Sequence, residues 1–316
     1  MRLSCCCCMV LAKNPALASA AMASNQRGYA KDARPDPADH ASYRIKLLTE
    51  DALDIVSAIG HGDQRFHLVG HDWGASLAWI MTCRHPERLG SLTILSRPHP
   101  SSFARALAMP DDEQAHRSRH HKEFLDPGAG PRLLADDARW QRTRLSNSGV
   151  PKAAIEAHLS VIGNPPAMEA ALAWYRARGE RQPLGPIAVP TLYIWGDADD
   201  TVGRAAAEGT VEFIAAPYRF EALSGVGHYA ADQVPERVNA LLLEHLARHP
   251  VRRPNSYCSK VSNQHRRRAT ARRGGRPAFR PLMLARARLP GPRVRAGMIL
   301  ITVPPSSALS CRRATR

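Results

Sequence analysis

Three residues of this chain have types and settings suited to covalent chemistry on a substrate carbon: Asp72 in "FHLVGHDWGASLAW", Asp199 in "WGDADD" and His228 in "SGVGHYA". A carboxylate at the end of an apolar run is unfavourable unless something there uses it. The run over residues 66–70 ends among small residues and is followed by a stretch rich in Ala and Leu, so the pattern reads strand, sharp turn, helix. Such a turn lifts its tip residue clear, beside a helix N-terminus whose free N–H groups favour negative charge. Gly70 and Gly74 permit the close backbone approach, and Asp72 stands where a nucleophile would. An ester of that carboxylate must then be hydrolysed by an activated water, which requires a base. His228, on a Gly-rich loop after a strand, is suited to take a proton from water, and Asp199, directly after another strand, to hold the imidazole tautomer.

These three residues are 127 and 29 positions apart, so only a fold that gathers strand ends can bring them together. Residues 43–60, "YRIKLLTEDALDIVSAIG", place Ile45, Leu48, Ala52, Ile55, Val56 and Ile59 near helical spacing with Gly60 as a stop, which predicts an amphipathic helix. Residues 66–70 read as a buried strand, 73–85 as a helix, and 91–95 as a strand stopped by the prolines of "SRPHP". The alternation resumes after residue 183 with strand "PTLYIWG", a helix over 203–215, strand "YRFEAL" and a helix over 232–248. Strands alternating with helices predict an α/β fold: a mostly parallel sheet with helices on both faces, whose strand ends share one crevice. Residues 101–183 interrupt the pattern with helical segments and no convincing strand, as an insertion would.

Net charge is +16, which suggests a nucleic-acid binder until the charge is located. Residues 251–316 hold 17 Lys and Arg and no acid, leaving 27 basic against 28 acidic residues in the remainder. That tail, with "QHRRRATARRGGRP" and many Pro and Gly, is expected to be disordered, and its apolar "AGMILITVPP" favours an appendage over a specific nucleic-acid arm. Four of seven cysteines lie in "CCCC" at 5–8, and residues 9–250 keep only Cys83, which suits a reducing cytoplasm. No Cys or His spacing suggests a metal, and no motif asks for a cofactor. "MRLSCCCCMVLAKNPALASAAMAS" mimics a secretory signal, but its apolar core of about 9 residues is at the short end for one. No run approaches the ~20 apolar residues of a membrane span.

Taken in order, "GHDWGAS", the helical insertion, "WGDAD" and "GVGH" resemble the α/β-hydrolase superfamily, and specifically its epoxide hydrolase and haloalkane dehalogenase branch with an Asp nucleophile. The likeness runs from about Gln26 to His249, and "NQRGYAKDARP" is similar to the loop before the helix that precedes the nucleophile strand. The resemblance implies a core at 25–100 and 184–250, a cap at 101–183 over a small hydrophobic substrate, an atypical segment at 1–24 and a tail at 251–316. "ALAWYRA" looks like the cap segment that carries one of two ring-opening tyrosines, mapping onto Tyr175, whose phenol would donate to the epoxide oxygen. Where the second tyrosine is expected, ahead of a Phe-x-x-Pro-Gly segment, "HHKEFLDPG" has His120, a good proton donor only when protonated. Trp73 would give a backbone N–H to the oxyanion, and in dehalogenases the indole here touches halide. Epoxide opening is the implied reaction; dehalogenation and a catalytically impaired remnant are the alternatives.

Plainer readings stand beside these. Asp72 could simply cap the helix; Asp197 and Asp200 flank Asp199; Tyr175 sits at a spacing that packing alone explains; His120 lies in a polar run and is expected at the surface. His67, His71 and His99 read as scaffold or pocket wall. A serine esterase is disfavoured, because Ser76 falls inside the following helix. The superfamily's His-Gly-x-Pro loop, which supplies another oxyanion N–H, is not found in the 25 residues before "QRGY", so N-terminal strands and one donor are expected to be missing.

Overall fold

The computed structural model describes residues 9–12, 21–62, 64–110, 113–177 and 183–251. The readings made of the cysteine run and of the basic tail beyond residue 251 lie outside the described residues. Six strands, β1 (Met9–Ala12), β2 (Ala21–Ser24), β3 (Phe66–His71), β4 (Leu89–Leu95), β5 (Thr191–Gly196) and β6 (Tyr218–Leu223), form one sheet in the order β2-β1-β3-β4-β5-β6. From β3 to β6 all neighbours are parallel. On the edge where strands were expected to be missing, β1 pairs antiparallel with both β2 and β3, so the outer backbone of β3 has a ladder partner.

Every residue of β3 and β5 is buried, as strands covered on both faces require. The period of two sorts their side chains. Leu68, Ile94, Tyr193 and Trp195 pack on one face with Ala52 and Val56 of α1 (Ile45–Val56) and with Ala75, Ala78 and Trp79 of α2 (Trp73–Arg84). Val69, Leu95, Leu192 and Ile194 turn to the other face, where Val238, Leu241, Leu242 and Leu246 cover them. At about 1.5–3 kcal/mol for each large aliphatic side chain buried, these two layers are the main force holding strand ends in register.

Between β4 and β5 the described chain is helical: α3 (Pro100–Leu107), α4 (Glu113–Arg117), α5 (His120–Glu123), α6 (Ala129–Asn147), α7 (Lys152–Ile162) and α8 (Pro165–Arg176). Proline at the first position of α3 and α8 fits where no N–H is needed, and the Asn164 side chain accepts from Ala167 N at the start of α8. α6 is broken at Ala135–Ala138, with Asp136, Asp137 and Ala138 at positive φ.

Three helix boundaries depart from the pattern reading. The first helix does not stop at Gly60 but widens into a five-residue turn, Ser57–His61. The helix expected over 203–215 is α9 (Arg204–Glu208) followed by a tighter turn from Gly209 to Phe213. The helix expected over 232–248 is split into α10 (Ala230–Gln233) and α11 (Pro235–Arg248), because Pro235 has no N–H to continue a helix yet fits a first turn.

Candidate active site

Asp72 joins β3 to α2 with φ +50° and ψ −115°, a conformation that side-chain-bearing residues adopt only under constraint. The junction is tight. A Cβ on Gly70 would lie 2.6 Å from the Gly74 carbonyl oxygen and 2.7 Å from Ala75 Cα, so glycine at 70 is a condition of the turn. The Asp72 side chain makes no capping hydrogen bond to α2, so capping does not account for its carboxylate.

A second close approach brings the other two residues together. A Cβ on Gly196 would lie 2.0 Å from the Val226 carbonyl oxygen, and Ala198 N donates to that oxygen at 3.0 Å. The loops after β5 and β6 therefore meet, with His228 Nδ1 3.1 Å from Asp199 Oδ2 and 3.3 Å from Oδ1. On the other side, His228 Nε2 is 3.9 Å from Asp72 Oδ1, beyond hydrogen-bond distance. Side-chain exposure rises along the row, from 0% at Asp199 through 6% at His228 to 17% at Asp72, so only the last opens toward the crevice. The neighbouring acids are otherwise engaged: Asp197 accepts from Gly225 N at 2.7 Å, and exposed Asp200 lies 3.7 Å from Arg144.

Two hydroxyls that sequence reasoning passed over complete the cluster. Ser96 Oγ donates to Asp199 Oδ2 at 2.6 Å, and Thr201 Oγ1 donates to Oδ1 at 2.7 Å, joined by backbone N–H groups of Thr201 and Val202 at 2.8 and 3.1 Å. Both hydroxyl oxygens also lie 2.8 Å from His228 Nδ1. Their protons go to the carboxylate, so they turn lone pairs toward the ring. Four oxygens around Nδ1 place the proton there and leave the Nε2 lone pair toward Asp72. Ser96 is itself at φ +64° at the end of β4, with its carbonyl accepting from Tyr193 OH at 2.6 Å. Its only sequence signal was its place directly after a strand.

The electrostatics follow from the contacts. Burial alone would raise the Asp199 pKa; the His228 charge and the hydrogen bonds from His228, Ser96 and Thr201 outweigh it and hold the carboxyl well below the usual range. Burial would lower the His228 pKa, but Asp199, and then Asp72, reverse that and raise it above the ordinary imidazole value. His71, placed among scaffold residues by the sequence, has Nε2 2.9 Å from the His228 carbonyl oxygen and donates to it. Burial, with the neighbouring His228, pushes the His71 pKa down to about 4, so its ring is neutral.

Tyr175, on α8, lies edge-on to Trp73 with ring centroids 5.1 Å apart, and 4.9 Å from Phe124. His120 and His121 stand 6.3 and 5.8 Å from the same ring. The structure thus gathers Tyr175, Trp73 and His120 in one aromatic cluster beside Asp72. The expectation of a surface His120 is corrected: the ring is half-buried, because its own short helix turns it toward Tyr175 and Phe124. Burial first, then Arg144, pushes its pKa down to about 4. It is neutral near pH 7, the weaker of the two donor states.

A separate open cleft of 530 Å³ lies between the loop at residues 25–35 and α1; Arg27 and Asp51 in its wall bond to each other at 2.7 Å, and none of the residues above lines it. Among the described residues no His, Cys, Asp or Glu group has a metal-holding arrangement, and no helix is long and apolar enough to cross a membrane.

A strained acid after the third strand, with an acid and a histidine delivered by later strand ends, is a hydrolase arrangement, and the chain belongs to the α/β hydrolase fold family, which it matches over residues 15–235. Its sequence is 28% identical over 233 residues to epoxide hydrolase 4 of Mus musculus, covering 70% of this chain and 64% of that protein. It is 29% identical over 279 residues to epoxide hydrolase A of Mycobacterium tuberculosis, covering 73% of this chain and 84% of the relative. The chain thus spans a little under two thirds of the mouse relative's length. A solved structure of epoxide hydrolases from metagenomes of hot environments superposes with a TM-score of 0.60 at 25% identity, covering 71% of this chain and 80% of that one.

Proposed function

We propose that this chain hydrolyses epoxides to diols through a covalent ester on Asp72. The observation that carries the reading is the pairing of a carboxylate at the tight turn with a histidine 3.9 Å away. A serine nucleophile must surrender a proton to its histidine and so needs it within hydrogen-bond reach; a carboxylate has none to surrender, and a histidine standing off can act on water instead. The relatives named epoxide hydrolases support the same choice.

In the proposed reaction an Asp72 carboxylate oxygen attacks an epoxide carbon, the C–O bond of the ring breaks, and the departing oxygen takes the Tyr175 phenol proton. The product is a hydroxyalkyl ester and a phenolate. His228 Nε2 then takes a proton from water as the water oxygen attacks the ester carbonyl carbon. The oxyanion is met by the Trp73 N–H at the start of α2. Collapse breaks the ester bond, the leaving alkoxide takes the second water proton to give the diol, and the His228 proton returns to the phenolate through solvent. Asp199 keeps the His228 ring oriented and stabilises its charged form. The helical segment from α3 to α8 acts as the cap that carries Tyr175 and encloses a hydrophobic small molecule.

Incubation with styrene oxide and, separately, with 1-chlorobutane separates the alternatives. Diol from the epoxide without halide release from the chloroalkane is expected; halide release without diol would make the chain a dehalogenase, and neither product would contradict both readings.

A further inference from the structure

We infer that His71 is a positioning residue that ties the backbone of the base, His228, to the turn carrying the nucleophile, Asp72. This rests on the reaction proposed above. The sheet alone does not set the distance between Asp72 and His228. They follow β3 and β6, which are separated by β4 and β5 and so lie roughly 14 Å apart at ordinary strand spacing. The loop after β6 is joined to the loop after β5, where Ala198 N donates to the Val226 carbonyl and Asp199 meets the His228 ring. Those contacts turn the ring but leave its distance from β3 open. From β3 itself comes His71. Its Nε2 lies 2.9 Å from the His228 carbonyl oxygen, and its ring stands 4.8 Å from the His228 ring and 5.9 Å from that of Tyr229.

Strand alternation puts the side chain there. Val69 packs on the sheet face covered by α10 and α11, with Ala230, Ala231 and Val238, and His71, two residues on, shares that face at the last position of β3. Its backbone is in register with Leu95 of β4, so the ring springs from a fixed base. An apolar side chain would suit a position only 5% exposed, since an imidazole loses its hydration there unless a partner replaces it. The partner is a carbonyl oxygen, which can only accept, so Nε2 carries the proton and the bond has a direction. Nearby carbonyls of the loop are engaged by backbone groups, Val226 O by Ala198 N at 3.0 Å and Tyr229 O by Asp232 N and Gln233 N at 2.9 and 3.0 Å. That of His228 is engaged from the nucleophile strand. Asp199 thus sets the rotation of the ring and His71 the place of the backbone it hangs from, and together they hold Nε2 3.9 Å from Asp72 Oδ1. A catalytic group must stay within about 0.5 Å and 10–20° of its productive geometry.

Rapid-quench kinetics of the full chain with styrene oxide, resolving ester formation from ester hydrolysis, test the assignment. His71 adjoins Asp72, so if it merely shaped the turn, replacing it would slow ester formation at least as much as hydrolysis. His71→Met, similar in bulk but without the donor, is expected to form ester within about 3-fold of the wild-type rate and to hydrolyse it up to about 10²-fold more slowly, as small misplacements of a catalytic group do. His71→Gln, whose amide N–H reaches the place of Nε2, should keep hydrolysis within about 3-fold of wild type. Wild-type hydrolysis in His71→Met overturns the assignment, as do equal slowing of both steps and a His71→Gln variant as slow as His71→Met. Should His71→Met not fold, His71→Asn, whose amide stops short of the carbonyl, takes its place beside His71→Gln. Slower hydrolysis in the Asn variant is then expected, and equal rates overturn the assignment. Absence of any ester in the wild-type protein would instead remove the proposed reaction, and this inference with it.

Discussion

The strand-end cluster and the aromatic cluster above it are built by different forces. Asp199 receives four hydrogen bonds besides its pairing with His228, from Ser96 directly after β4 and from Thr201 and Val202 in the loop after β5. Around Tyr175 stand rings from two helical segments, Trp73 of α2 and His120, His121 and Phe124 in and directly after α5, at centroid distances of 4.9 to 6.3 Å. Directional bonds fix orientation, whereas ring packing fixes mainly distance. In the proposed reaction, ester hydrolysis, which needs a proton taken along one line, would depend on the first cluster, and ring opening, which needs a donor near a shape that varies with substrate, on the second.

Four substitutions and a titration probe that division. The largest effect is expected of Asp72→Ala, which should lower turnover by at least about 10⁴-fold and abolish ester formation, because it removes the proposed nucleophile. Asp199→Asn should slow ester hydrolysis by roughly 10²- to 10⁴-fold through loss of tautomer control, with ester formation nearly intact. The acid limb of ester hydrolysis should also move. In the proposed reaction His228 acts as a base only when neutral, and its raised pKa puts the wild-type midpoint above the ordinary 6.5. Removing the Asp199 charge should shift that midpoint downward in a single-turnover pH profile.

Tyr175→Phe should slow ester formation by about 10- to 10²-fold and leave ester hydrolysis unchanged; equal slowing of both steps would break the proposed separation of clusters. His120→Ala should change ester formation by less than about 3-fold, since a neutral imidazole adds little proton donation. At the level of stability, buried His67, His71, His99 and His245 have pKa values pushed down to about 4, burial being the main cause. The unfolded chain therefore binds more protons between about 6.5 and 4, so the melting midpoint should fall as pH is lowered through that window.

The ordered motifs made Asp72, Asp199 and His228 legible in the sequence because each needs a distinctive neighbour: glycines for a tight turn, an apolar strand before a loop. The parallel sheet was legible for a similar reason, since strand and helix periods differ. Ser96 and Thr201 were not. Serine and threonine are common after strands, and only the convergence of three loops on one imidazole shows what they do. Tyr229 likewise reads as an ordinary loop residue until its ring is found inside the insertion. His120 was misplaced because its charged neighbours suggest a solvated surface, while one turn of helix is enough to direct one side chain inward. Helix ends at Gly209 and Pro235 were missed where a short break interrupts an otherwise continuous apolar pattern.

The central claim is tested most directly by intact-protein and peptide mass spectrometry of the His228→Gln variant after brief exposure to styrene oxide. A mass gain equal to the epoxide, mapped to Asp72 and persisting in the variant while it decays in the wild-type protein, is the predicted result. Diol formation with no adduct at Asp72 in either protein, or an adduct on another residue, would contradict the account.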